Sequence, residues 1–337
     1  MRYRIRWRAV ILLAVASGLI VLVLRGCLMA QAAKRQAQST PAPTAEPALA
    51  ALPDADLSVT VFLHREDGTR EMPLEAYILG VVAAEMPASF DPEALRAQAV
   101  AARTYTLYKG AHGGCRSASA SVCTNSACCQ AYAPDDALRV RWGADYADNL
   151  SKITDAVAST AGQVLLYDGA PIEALYHSAS GGRTEDSEAV YAAAVPYLRA
   201  VESTNESGSS RLTGTATFSR KDFASRVNST WAGARLDPAT LENDVEILRT
   251  SESGRVQEMR LGGKAVTGKQ VRRLFGLDST LFTVTFTRSS VRFDTRGFGH
   301  GVGMSQTGAN SMGKGGRTYE EILLYYYTGT TLGRIES

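Results

Sequence analysis

Four stretches of this chain carry residue types that could do chemistry. The first is "LGVVAAEMPASF", residues 79–90, where one carboxylate, Glu85, follows six uncharged residues. Leu74, Tyr77, Ile78, Val81, Val82 and Glu85 fall at i, i+3, i+4, i+7, i+8 and i+11, so Glu85 continues the apolar stripe of a predicted helix. Pro73 suits the first turn of that helix, and Pro87 disfavours helical geometry at Met86, which stops it. Apolar neighbours and the negative end of the helix both raise a carboxyl pKa. A carboxyl that stays protonated near neutral pH is what a general acid needs. The alternative is a structural acid paired in the core with Arg96 or Arg103.

The second stretch is "SASGGRTEDSEAV", residues 178–190, preceded by "ALYH". Ser178, Ser180 and Thr184 offer hydroxyls, and Gly181 and Gly182 let backbone approach a ligand. Such a loop could bind sugar hydroxyls or be an ordinary polar turn. It lacks the G-x-S-x-G frame of a serine-hydrolase elbow. The third is "GFGHGVGMSQTGANSMGKGG", residues 297–316, with His300 among glycines and a short predicted helix opening at Met304–Ser305–Gln306. The Walker phosphate-loop spacing is absent, and a structural glycine-rich loop is the alternative. The fourth, "AHGGCRSASASVCTNSACCQAY" (111–132), holds four of the five cysteines, Cys115, Cys123, Cys128 and Cys129, with His112 nearby. Spacing alone leaves a disulfide and a wrapped zinc ion equally open.

These stretches need a scaffold and a compartment. The 337 residues are 45% hydrophobic, enough to bury a sizeable core. Lys plus Arg number 36 against 34 Asp plus Glu, a balance that excludes the basic stripe of a nucleic-acid binder. "MRYRIRWR" followed by the uncharged Ala9–Leu24 reads as an uncleaved membrane anchor with its arginines inside, in competition with a signal peptide cut near residues 30–32. Cys27 invites a lipoprotein reading that Arg25 fits poorly. Each option places the rest of the chain outside the cytoplasm. Residues 31–56, rich in Ala and Pro, form a spacer, and a folded domain is expected from Leu57 to the C-terminus.

Within that domain strands are expected at 58–64, 163–168, 245–250, 255–261, 281–287 and 290–295. A second helix follows Asp91 and Pro92, and a last helix opens on a Thr318–Glu321 capping box. Strands and helices do not alternate regularly, which predicts an α+β fold of mixed helices and antiparallel strands behind one N-terminal transmembrane helix.

The stretches "VVAAEMPASFDPEALRAQAVAARTY", "CTNSACCQAY", "YHSASGGRTEDSEAV", "VPYLRAVES", "LFGLDSTLFTV", "GFGHGVGMSQTGA" and "YYYTGT" together resemble the stage II sporulation protein D family, which is related to the amidase-enhancer proteins. The resemblance runs over about residues 57–332. It implies that 57–337 is a catalytic domain, a peptidoglycan lytic transglycosylase cutting between N-acetylmuramic acid and N-acetylglucosamine to leave a 1,6-anhydro end. It implies Glu85 as single general acid and base, with Arg103, Tyr176 and Ser180 required for activity. The cleft candidates are these three with Gly181, Gly182, Thr184, His300, Ser305 and Gln306. It also implies a denuded glycan substrate, sporulation and engulfment as the setting, a partner amidase and a membrane partner. Some relatives bind zinc through a histidine and a C-x₅-C pair. Here Cys123 and Cys129 keep the pair, and Cys115 or His112 would complete a structural site not required for the chemistry. Thr307 stands where the family commonly has an aromatic residue. The rival functions are a non-catalytic wall binder that enhances an amidase and a zinc amidase or peptidase using His64, His177 and His300.

Overall fold

The computed structural model describes residues 57–335 apart from 116–118, 192, 204 and 207–209. The expected anchor (1–30) and spacer (31–56) lie outside the described residues. Among those described, no helix is long and apolar enough to cross a membrane.

The chain begins as a hairpin, β1 (Ser58–Leu63) and β2 (Gly68–Pro73), and turns directly into α1 (Leu74–Glu85). Met86 leaves the helix in an extended conformation, as the residue before Pro87 should. Asp91 then caps α2 (Pro92–Ala111) by accepting from the Glu93 N–H at 2.9 Å, with Pro92 in the first turn. After β3 (Val122–Cys123) come α3 (Asp135–Trp142) and α4 (Tyr146–Ser159). Strands β4 (Gln163–Tyr167), β5 (Ala170–Pro171) and β6 (Tyr176–His177) follow, then the single turn α5 (Glu188–Tyr191).

Next comes a second group of elements: β7 (Thr213–Ser219), α6 (Arg220–Thr230), α7 (Leu241–Asp244), β8 (Val245–Thr250), β9 (Val256–Leu261), β10 (Lys264–Thr267), α8 (Gly268–Phe275), β11 (Phe282–Phe286) and β12 (Ser290–Arg296). The chain returns through β13 (Met304–Ser305), α9 (Gln306–Lys314), α10 (Tyr319–Tyr326) and β14 (Thr331–Arg334). The Thr318–Glu321 capping box opens α10 as expected.

The architecture is α+β. Three-stranded sheets order as β2-β1-β3, β14-β4-β5, β11-β12-β7 and β10-β9-β8, with a β6-β13 pair. Among the described strands pairing is antiparallel except for two short parallel ladders, β1 with β3 and β6 with β13, which the sequence did not announce; Glu185 and Val302 form an isolated parallel bridge. Among the described residues there are two cores. The first packs α1, α2, α4, α10 and neighbouring strands around Tyr77, Ile78, Val100, Ile153 and Leu323. The second lies between β7–β12, α6 and α8, where Phe223 stacks on Phe275 at 4.9 Å and both contact Phe293.

Helix α1 is buried nearly all round rather than along one stripe. Leu74, Tyr77, Ile78, Val81 and Val82 are fully buried, and each aliphatic side chain so placed contributes roughly 1.5–3 kcal/mol. Tyr132 lies so close over it that a Cβ at Gly80 would meet the ring at 2.3 Å. This burial also encloses Glu75, which takes a bidentate pair from Arg103 (Nε–Oε1 2.7 Å, Nη2–Oε2 2.6 Å). Arg103 is therefore a core residue, in contrast to its expected place in a cleft. Its Nη1 also donates to the Gln163 carbonyl at 3.0 Å, tying α1, α2 and β4 together.

Candidate active site

Glu85 sits at the last position of α1, half-buried, on a cleft of about 1400 Å³. The expected pairing with Arg96 or Arg103 does not occur. Arg96 pairs with Glu93, and Arg103 with Glu75. Glu85 instead receives the Ala131 N–H on Oε1 at 2.7 Å, and the Gln306 amide lies beside it on the same cleft. Burial pushes its carboxyl above the ordinary range, and these two donors offset part of that rise. Asp145 and Glu173 also line the cleft, and neither figures among the causes of this rise.

Tyr176, on β6, lines the same cleft. Its hydroxyl donates to Gln130 Oε1 at 2.8 Å, and Gln130 Nε2 donates to Thr106 Oγ1 at 3.0 Å. Burial, followed by the charge of Glu85, holds this phenol well above its usual range, so it stays a neutral donor. Gln306, the first residue of α9, also donates to Gln98 Oε1 at 3.3 Å. His300 faces His177 at 5.6 Å and Tyr191 at 5.9 Å between ring centroids. Burial and the nearby Arg272 push His300 down to about 4, and burial pushes His177 well down too, leaving both imidazoles neutral at physiological pH. Trp142, Tyr105, Phe90 and Phe298 supply apolar wall, and Lys109, Arg141 and Lys314 supply positive charge.

Glu85, Tyr176, His300 and Gln306 thus meet at one cleft. The other cleft candidates lie behind its wall. Ser180, Thr184 and Ser305 are fully buried, and Gly181 is packed against Leu281 and the backbone at Gly297. Gly182 donates its N–H to Ser180 Oγ at 3.0 Å rather than opening to the cleft. Of the loop's hydroxyls, those of Ser180 and Thr184 are spent internally, whereas Ser178 lines the cleft. Gln130 and Ala131, which bond Tyr176 and Glu85 directly, were not singled out by the sequence. Their position just after Cys129 was the available signal.

The cysteines converge. The Sγ atoms of Cys115, Cys123, Cys128 and Cys129 all lie within 4.8 Å of one another, and none of the four is in a disulfide. Cys115 and Cys128 are 3.7 Å apart, and Cys128 and Cys129 3.8 Å. A disulfide needs about 2.05 Å, whereas a tetrahedron with metal–sulfur bonds of about 2.3 Å has edges near 3.8 Å. The set can hold a metal ion. His112 does not belong to it. The imidazole is exposed, stacks on Tyr108 at 4.0 Å and bonds the Tyr108 carbonyl, because the α2 terminus turns it outward. Cys128 takes that corner. Burial raises the Cys123 thiol, and raises Cys129 to about 11, so these sulfurs are poor thiolates without a cation. His64 is exposed at the end of the first hairpin and does not line the cleft.

Comparison with known proteins bears on the whole arrangement. The family described as "Stage II sporulation protein" matches residues 64–167, and a domain of unknown function matches residues 188–303. Stage II sporulation protein D of Bacillus subtilis (strain 168) is 38% identical over 282 residues, covering 83% of this chain and 80% of that one. The protein of the same name from Bacillus amyloliquefaciens is 37% identical over 287 residues, covering 85% and 81%. The amidase enhancer of Bacillus subtilis (strain 168) is 31% identical over 303 residues, covering 75% of this chain and 40% of that longer protein. At this identity and coverage, the chain belongs to the stage II sporulation protein D family.

Proposed function

We propose that the chain is a peptidoglycan lytic transglycosylase acting on denuded glycan strands during sporulation and engulfment. The observation that carries this reading is the burial-raised carboxyl of Glu85 on the cleft, which Asp145 and Glu173 also line, held by donors that favour its charged form. A single group in that balance can serve both half-reactions. Protonated Glu85 gives its proton to the oxygen between N-acetylmuramic acid and N-acetylglucosamine as the C1–O bond breaks. The carboxylate then takes the proton of the muramic 6-hydroxyl as that oxygen attacks C1. The 1,6-anhydro ring closes without water, so no second carboxylate is required, unlike the usual two-acid pattern. Tyr176 and Gln306 bind and orient at the reacting sugars, and Trp142 and Phe298 offer apolar faces for the strand.

Zinc fits the four sulfurs, with Cys115, Cys123, Cys128 and Cys129 as a closed structural set. Bound there it would order the loop that delivers Gln130 and Ala131 to the cleft. The N-terminal apolar run anchors the domain to the cell membrane on the extracytoplasmic side, and a cell-wall amidase and a membrane protein of the engulfment complex are the expected partners. The likeness to an amidase enhancer supports a second reading, a wall binder that stimulates an amidase without cutting. Mass analysis of products from amidase-treated sacculi separates the two. Anhydro-ended fragments support cleavage, and intact strands with faster peptide release support the enhancer.

A further inference from the structure

Glu206 is only 3% exposed and lies outside the cleft. Its Oε1 accepts from Ser180 N (3.2 Å), Ser180 Oγ (2.9 Å), Ser203 Oγ (2.8 Å) and Ser305 Oγ (2.5 Å), and its Oε2 accepts from Gly181 N (2.9 Å). These donors belong to three separate segments: the loop after β6, the segment before β7 and the N-cap of α9. Arg255, reaching in from β9's edge, makes the complementary contacts. Its Nη2 donates to the Ser180 carbonyl at 2.6 Å and its Nη1 to the Arg183 carbonyl at 3.1 Å. Gly301, at φ +89°, leaves the room this guanidinium needs, because a Cβ there would lie 2.6 Å from it. The Ser180 peptide is thus gripped at its N–H by Glu206 and at its C=O by Arg255.

A buried acid is a costly way to join loops that apolar contacts could join, so what it aligns matters. Ser305 caps α9 by accepting the Gly308 N–H at 3.1 Å, and the next residue, Gln306, lines the cleft with Glu85 and helps hold the pKa of that carboxyl down. The β6–β13 ladder sets Ser305 beside His177 and Met304 beside Tyr176. We propose that Glu206 is a positioning residue: by tying Ser180, Ser203 and Ser305 into one knot, it fixes Gln306 against Glu85 and Tyr176 across from it. This rests on the reading of Glu85 as the acid. Loss of the knot frees Gln306, removes a donor to the charged carboxylate and lets Glu85 hold its proton to higher pH.

Glu206→Gln keeps the shape but places N–H groups where donors already point. In the full chain, it should lower kcat on denuded glycan by roughly 10-fold or more with KM little changed, since binding faces remain. Carbon-13 titration of glutamate carboxyls, with Glu85 assigned by Glu85→Gln, should show the Glu85 titration displaced upward. Gln306→Ala should give the same displacement, and the double variant should add nothing further. If Glu206→Gln does not fold, Ser305→Ala, which removes one donor from the knot, is read the same way. A folded variant with an unmoved Glu85 titration overturns the proposal even if its melting temperature falls. A moved titration in a protein that cuts no glycan leaves the positioning role standing and overturns the proposed reaction instead.

Discussion

The backbone N–H of Ala131 donates to Oε1 of Glu85 across 2.7 Å, joining the end of α1 to a residue two positions beyond a cysteine of the sulfur cluster. Gln130, between them, receives the Tyr176 hydroxyl. One short loop therefore links the sulfurs to both cleft side chains.

That link predicts a metal dependence. Purified protein should carry about one zinc per chain, the ratio of a four-thiolate site. Cys128→Ser should lose it, and His112→Ala should keep it. Chelation should lower glycan cleavage as the Gln130–Ala131 loop loosens. Metal analysis showing the opposite pattern, with His112 required and Cys128 dispensable, would contradict the geometry.

The Glu75–Arg103 pair yields a stability prediction. Replacing Arg103 with Met leaves Glu75 buried without its partner and should cost about 3–5 kcal/mol. Chemical denaturation measures this, and activity should fall in step with the folded fraction. A variant of wild-type stability would show that the pair does not hold α1, α2 and β4 together.

Much of this was legible in the sequence, and the misses have physical causes. The Met86–Pro87 stop, the Asp91 cap and the Thr318 capping box depend on neighbours in sequence and fall where expected, whereas α1 is buried nearly all round rather than along one stripe. Arg103 was misplaced because a buried ion pair between residues 28 apart leaves no local pattern. The Ser180 loop looked like a ligand loop because its hydroxyls are visible in sequence, whereas the acceptors, Glu206 for Ser180 and the Val201 carbonyl for Thr184, lie 26 and 17 residues on. Strand β7 was missed because "TGTATFS" is rich in small residues, and its inward positions pack against elements distant in sequence, such as β12 and Phe275. His112 looked like a ligand by proximity in sequence, but helix geometry turns it away from the sulfurs.

The raised Glu85 carboxyl carries a stability consequence of definite sign. A carboxyl whose folded pKa exceeds its unfolded value favours the folded state when protonated. That contribution is present below the unfolded pKa, near 4.3, and is lost as pH rises through the folded value. Glu85→Gln removes the penalty of a buried charge while its amide oxygen still accepts from Ala131. Thermal melts should show the variant more stable than wild type at neutral pH, with the gap closing near pH 4. A gap that is constant with pH would place Glu85 in a more solvated site than the structure gives it.

The described fold starts at Leu57, whose carbonyl accepts the Leu74 N–H at 2.8 Å. Deleting residues 1–30 should give a soluble protein with unchanged circular dichroism. Aggregation with loss of signal would move the proposed domain boundary.

The central claim is that one carboxyl does both proton transfers, and the most direct measurement is the release of 1,6-anhydromuramyl products by Glu85→Gln. The substrate is glycan whose stem peptides an amidase has removed. The variant should fold and bind the strands, while product release falls by at least ~10²-fold, the scale of lost general acid–base help. Product release at the wild-type rate by a folded Glu85→Gln protein would contradict the account.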